Sequence, residues 1–353
     1  MLILSTEPLG APWSRSPIGS AGRLDKLTVR SELLKGNPLG DPCTRPLWVY
    51  VPAVAVTDPR RPLPVIYLIQ GFGGQVDMWD NRPAHEPTLV ERLNMLFAGG
   101  APPALVVMPD GWTRYGGSQF VNSIGTGRYL DYLCDEIVPF IDAHYSTLPS
   151  RGHRGITGKS SGGYAAMAAP MHRPDVFGAF ASHAGDALFE CCCLPKFPLI
   201  ARTLRDHFQG SYELFLQRFA EAETIDPALF GAGLEFYAYA TCYSPDPGRP
   251  GIGLPPFDVG TGRLIEDRWA QWLANDPVRL AQGHGEALAS MSLIYLDSGL
   301  ADEHYLDLGA TAFSQELTRL GLEHQIELFP GTHARLEYRY PRAIGALAEA
   351  LTP

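Results

Sequence analysis

Two glycines bracket a serine in Gly158-Lys159-Ser160-Ser161-Gly162-Gly163, which lies between a short apolar run ending near Thr157 and the Ala-rich stretch Tyr164 to Ala169. A chain that passes from strand to helix in so few residues must turn sharply at the serine. In such a turn the positions two before and two after the apex crowd together and must be nearly free of side chain. With Ser160 at the apex those positions are Gly158 and Gly162, whereas Ser161 would bring in Lys159, which the turn could not hold. The register therefore puts Ser160 at the apex, with its hydroxyl presented where the strand ends. The plain alternative is a glycine-rich turn with no chemical role.

The surrounding pattern fits such a turn. Short β-rich runs occur at 27–33, 47–51, 65–70, 105–108, 155–157, 179–183, 292–296 and 325–329, several of them continuously apolar, as strands buried on both faces are. Between them, Leu130, Leu133, Ile137 and Ile141 recur at helical spacing, as do Leu306, Ala310, Phe313, Leu317 and Leu320, with Gly321 at the stop. Strands alternating with helices imply an α/β fold, with a mostly parallel sheet covered by helices on both faces. The alternation breaks over about 186–286. A stretch of that length is too long for a connection and reads as a cap inserted over the carboxyl edge of the sheet. The expected organisation is a surface arm over 1–25, core over 26–185, cap over 186–286 and core again over 287–353.

Composition narrows the function classes. The chain has 353 residues, 45% of them hydrophobic, and a formal charge of −10 with neither sign gathered into a run. Nucleic acid is thus an unexpected partner. No apolar stretch approaches the roughly 20 residues of a membrane span, and the start lacks the features of a signal peptide, so no membrane association and a cytoplasmic location are expected. The six cysteines include three adjacent ones, Cys191, Cys192 and Cys193, but no C-x-x-C pair. They make a poor disulfide framework and a poor metal site, and are read as ordinary buried thiols.

A serine hydroxyl needs a base within reach. His333 follows the strand-like run 325–329 through Pro330-Gly331-Thr332, so it arrives at the edge where Ser160 emerges. His304, His183 and His153 compete, and His153 precedes its strand at the wrong edge. A carboxylate on the loop after the preceding strand would orient the imidazole. Asp302 is the first choice there, with Asp297 and Glu303 as alternatives. The order Ser, Asp, His is that of α/β-hydrolases. An oxyanion would be met by the backbone N–H groups of Phe72, in the turn Gln70-Gly71-Phe72-Gly73-Gly74, and of Ser161; one such donor is worth about 3 to 4 kcal/mol in a transition state.

At these residues the chain resembles the putative-esterase (esterase D-like) family of α/β-hydrolases, which includes feruloyl esterases, S-formylglutathione hydrolases and enterochelin esterases. The matching passages are Tyr67 to Gly74, Gly117-Ser118 through Asn122-Ser123, Glu136 to Asp142, the serine turn, Asp297 to Asp302, and Pro330 to His333, spanning about Leu47 to Ala350 with the cap unmatched. The resemblance implies ester hydrolysis through a Ser, Asp, His triad on a small-molecule ester, with no metal or organic cofactor. Gln70 and Lys159 depart from the pattern where relatives often carry histidine, so the substrate class does not carry over. Gln70, Tyr115, Asn122, Lys159 and His183 are expected to reach the substrate, joined by aromatic residues of the cap: Phe189, Phe236, Tyr237, Tyr239, Trp269 and Trp272. Acyl transfer to an alcohol and a catalytically silent binding protein stay open as alternatives, as does a homo-oligomer.

Overall fold

Six strands lie side by side and parallel in the computed structural model, which describes residues 5–7, 22–82 and 86–353. In chain order the main-sheet strands are β1 (Ser5–Glu7), β2 (Arg23–Arg30), β3 (Thr44–Val51), β4 (Val65–Ile69), β5 (Leu105–Pro109), β6 (Arg154–Ser160), β7 (Ala179–Gly185), β8 (Leu293–Gly299) and β9 (Gln325–Phe329). Their spatial order is 1-2-3-5-4-6-7-8-9. The first three pair antiparallel and form one edge; β5, β4, β6, β7, β8 and β9 are parallel neighbours. Parallel strands need crossovers. These are supplied by α1 (Leu89–Ala98), α2 (Ser161–His172), a helical segment over 129–144 and α4 (Leu306–Arg319), while α5 (Tyr340–Leu351) follows the last strand.

The central strands β4 and β5 are buried at every residue, which is why their sequences are apolar without alternation. One face packs Tyr67, Val107 and Ile156 on Leu133, Ile137, Ile141, Phe313 and Leu317; the other packs Ile66, Leu68, Val106 and Ala181 on Leu93, Ile344 and Leu347. The segment over 129–144 carries its apolar stripe through a π-helical stretch, Tyr132–Ile137, whose wider turns keep Leu133 and Ile137 facing the sheet. Gly321, at φ +72°, ends the last turn after α4.

Two sequence expectations shift. The arm assigned to 1–25 is partly sheet: Ser5–Glu7 pairs with β2, and β2 starts at Arg23 rather than near Leu27. The remainder of that arm, 1–4 and 8–21, lies outside the described residues.

Over 186–286 the chain is helical, with Phe197–Phe208, Tyr212–Glu221, α3 (Pro227–Tyr243) and Glu266–Leu273 as its longer helices. They share an aromatic core in which Phe197 meets Phe236, Phe257, Trp269 and Trp272 at centroid distances of 5.0 to 5.8 Å. The same cluster includes Tyr164, Ala184, Phe329 and Leu336 of the sheet-bearing part, so this layer is packed onto the molecule. No helix among the described residues is long and apolar enough to cross a membrane.

Candidate active site

Every loop that could supply chemistry leaves the sheet at the carboxyl end of a parallel strand. At the end of β6, Ser160 has φ 59° and ψ −125°, a conformation an L-residue holds only where its surroundings force it. The cause is close packing around the turn. A methyl group at Gly158 would lie 2.6 Å from the Gly162 carbonyl, and one at Gly162 would lie 2.3 Å from Ile69 O. Pairing with β7 slips between Lys159 and Ser160, so that Lys159 faces His183 but Ser160 faces Gly185. Ser160 is thereby lifted out of the ladder and α2 begins at the next residue.

The turn after β4 lies against this apex, since a side chain at Gly71 would meet Lys159 O at 3.2 Å and Ser160 Cβ at 3.5 Å. Among the described residues, the N–H groups of Phe72 and Ser161 donate to no acceptor. Ser161 is also the first residue of a helix, where unpaired N–H groups favour negative charge. Two unpaired donors therefore flank the serine.

His333 stands on the loop after β9, and its Nδ1 is 2.9 Å from Asp302 Oδ2. That loop is zipped to the one after β8 by Leu300 N–H to Phe329 O and Ala301 N–H to Gly331 O, both 2.8 Å. Asp302 is buried and its Oδ1 accepts the His304 N–H at 2.8 Å. Burial works to raise its pKa, but the hydrogen bond and charge of His333, with the His304 N–H, outweigh burial and hold the carboxyl below its ordinary value. An ionised carboxylate only accepts, so Nδ1 carries the proton and Nε2 is left as an acceptor. Glu303 takes a supporting place, accepting the His333 backbone N–H at 2.9 Å.

Ser160 and His333 line one cavity of about 490 Å³, together with Lys159, Trp79, Glu235, His304 and Tyr340. The His304 ring meets that of His333 edge-on at 4.8 Å, and burial, then the His333 charge, lower its pKa. The Lys159 side chain is half-buried there, and its ammonium makes no hydrogen bond among the described residues. Desolvation lowers its pKa, opposed by Glu337, Asp302 and Glu303.

Most of the other residues expected at the substrate are placed elsewhere. His183 is fully buried, with Nδ1 2.7 Å from Asp297 Oδ1, so it lines no cavity. Asp297, the strand-end alternative to Asp302, is also held by Arg339 Nε at 3.0 Å and by the Tyr295 hydroxyl at 3.2 Å. Gln70 braces the loop instead, its amide oriented so that Nε2 donates to Pro109 O at 2.9 Å and Oε1 accepts the Gly111 N–H at 2.8 Å. Asn122 is exposed and exchanges bonds with Asp131, while Tyr115 packs edge-on against Tyr237 at 5.1 Å. The Ser123 hydroxyl donates to Thr241 O of α3 at 2.8 Å. Of the aromatic residues expected in a pocket, Phe236 and Tyr239 border Ser160; Phe189, Trp269 and Trp272 are core.

Sequence reading missed a polar cluster beneath the serine turn. Asp186 Oδ2 accepts from Tyr239 at 2.9 Å, from Ser161 Oγ at 3.2 Å and from Gln119 at 3.4 Å, and Tyr239 also lies 3.1 Å from Glu235 Oε1. Burial, reinforced by the Asp186 charge, pushes the Glu235 carboxyl up to about 7 against the hydrogen bond from Tyr239. Two signals were available: Asp186 is the first residue past β7, and Glu235 and Tyr239 are spaced i, i+4 on α3. The adjacent thiols of Cys192 and Cys193 are buried 3.7 Å apart nearby. Among the described residues no group of three or more His, Cys, Asp or Glu is arranged to hold a metal ion.

The parallel sheet, the helices on its faces and the strand-to-helix turn at Ser160 define an α/β-hydrolase fold. Solved structures of that fold superpose over nearly the whole chain. A ferulic acid esterase matches with TM-score 0.60 at 16% identity, covering 94% of this chain and all of its own. An S-formylglutathione hydrolase from Agrobacterium tumefaciens matches with TM-score 0.56 at 17% identity (96% and 98%), and the fluorophosphonate-binding serine hydrolase FphF of Staphylococcus aureus with TM-score 0.56 at 15% (94% and 100%). A curated relative, an endo-1,4-beta-xylanase/feruloyl esterase of Xylanibacter ruminicola, is 27% identical over 133 residues; the match covers 37% of this chain and only 18% of that protein's length. The family model described as putative esterase matches residues 42–340, and the chain belongs to that family. Its fold is that of the α/β-hydrolases.

Proposed function

We propose that this protein is a serine esterase, hydrolysing small-molecule carboxylic esters through an acyl-enzyme on Ser160. The observation that carries the reading is His333, bound through Nδ1 to ionised Asp302 while lining the same cavity as the strained Ser160. In the first step Ser160 Oγ attacks the ester carbonyl and His333 Nε2 takes its proton, with Asp302 stabilising the imidazolium. Negative charge gathers on the carbonyl oxygen, where the N–H groups of Phe72 and Ser161 would meet it. Collapse breaks the bond to the alkoxy oxygen, which leaves with the proton from His333. Water then attacks the acyl-enzyme, gives a proton to His333, and releases the acid and Ser160.

Hydrolysis of aryl acetates by wild type and by Ser160→Ala tests this. Turnover that falls about 10⁶-fold in the variant, with an unchanged circular dichroism spectrum, is the expected result. Equal turnover by both proteins would overturn it.

A further inference from the structure

Two cavities of very different size meet at Ser160. One is the 490 Å³ cavity that His333 lines. The other is a recess of about 20 Å³ bordered by Ser160, Cys192, Phe236 and Leu306, with Asp186, Glu235 and Tyr239 supplying polar groups; His333 does not reach it. We propose that this recess is the acyl site, so that the enzyme takes esters of a very short acid, acetyl or hydroxyacetyl in size, on a much larger alcohol.

The inference rests on Ser160 and His333 acting as proposed above, and direction follows from the proton. When the tetrahedral intermediate collapses, the bond between the carbonyl carbon and the alkoxy oxygen breaks and its electron pair leaves on that oxygen. The oxygen takes its proton from His333, so the alcohol must occupy the cavity that His333 lines. The acyl substituent is then left with the recess.

Size follows from the walls. A space of about 20 Å³ admits one or two water-sized groups, which is a methyl or hydroxymethyl beyond the carbonyl. The walls cannot easily retreat: Leu306, Phe236 and Cys192 are 1%, 4% and 7% exposed and belong to the aromatic cluster of the helical layer. Close-packed interiors of this kind resist added volume. The polar border tolerates a hydroxyl, since Asp186 Oδ1 and Glu235 Oε2 have no hydrogen-bond partner among the described residues.

The test holds the alcohol fixed as 4-methylumbelliferone and varies the acid from acetate through butyrate to octanoate. Acetate should exceed butyrate in kcat/KM by at least tenfold, because one methylene in a fitted pocket is worth about 10 to 200-fold. Leu306→Ala should raise the butyrate-to-acetate ratio at least tenfold, and the milder Phe236→Leu should move it in the same direction. A wild type that hydrolyses butyrate or octanoate as well as acetate would overturn the proposal while leaving Ser160 in its role. If no ester is turned over and a fluorophosphonate leaves Ser160 unmodified, the underlying reading fails, and this one with it.

Discussion

Among the described residues two histidine–aspartate pairs have nearly the same geometry, and one of them opens on a cavity. His333 and Asp302 are 2.9 Å apart; His183 and Asp297 are 2.7 Å apart, on neighbouring strands. The buried pair is fully enclosed, with Asp297 also tied to Arg339 and Tyr295 and the His183 ring edge-on to Tyr340 at 5.2 Å. His183 Nε2 is buried with no hydrogen-bond partner among the described residues, whereas His333 shares its cavity with Ser160. A carboxylate that orients an imidazole is therefore not enough to make a base. What matters is what the far ring nitrogen can reach.

Breaking each pair should expose that difference. The largest effect is expected from Asp302→Asn, which leaves Nδ1 facing an amide and destabilises the tautomer that keeps Nε2 free: roughly a 10⁴-fold loss of kcat, with a smaller loss of stability than Asp297→Asn causes. Asp297→Asn should do the reverse. It strips one of the two carboxylates that hold buried Arg339, Glu327 at 2.6 Å being the other, and should cost about 1 to 3 kcal/mol of stability, read by urea unfolding, with turnover per folded molecule nearly unchanged. A collapse of turnover in folded Asp297→Asn protein would move the orienting acid to the strand end.

Acid unfolding sharpens the contrast. Burial works to raise the pKa of Asp297 and of Asp302, yet the partners of each outweigh it and both end below the ordinary 3.8. A carboxyl lowered on folding favours the folded state above its unfolded pKa, and that contribution disappears as the pH falls through the folded value. Wild type should therefore lose stability below about pH 4, and Asp297→Asn should lose less of it there than wild type does.

The smallest effects belong to neighbours of the pairs. Glu303→Gln keeps an acceptor for the His333 N–H but removes its charge, for an expected loss of about tenfold or less in kcat. Ser161→Ala removes a hydroxyl bonded to Asp186 and Tyr239 and leaves the N–H in place, for less than about fivefold. A loss in Ser161→Ala as large as that in Ser160→Ala would put the apex of the turn one residue later.

Much of this was legible in the sequence because it is set by local rules. Glycines at 158 and 162 fix the register of the turn, and parallel strands send their loops to one edge, which brought Ser160, Asp302, His333 and Gly71 into one neighbourhood. Long-range side-chain partners were not legible. His183 ends a strand beside the elbow, as a pocket residue would, but Asp297 lies opposite it on the next strand and claims it. Gln70 sits in the right turn, yet its amide fits the backbone of Pro109 and Gly111. Glu235 and Tyr239 reach Asp186 from α3, nearly fifty residues on, and no local period announces such a meeting.

The most direct test is a fluorophosphonate probe on the folded wild-type protein, read by intact mass and peptide mapping. A nucleophilic Ser160 activated by His333 predicts a single adduct on Ser160, absent in Ser160→Ala and strongly slowed in His333→Ala. No adduct on folded protein, or one on another residue, would contradict it.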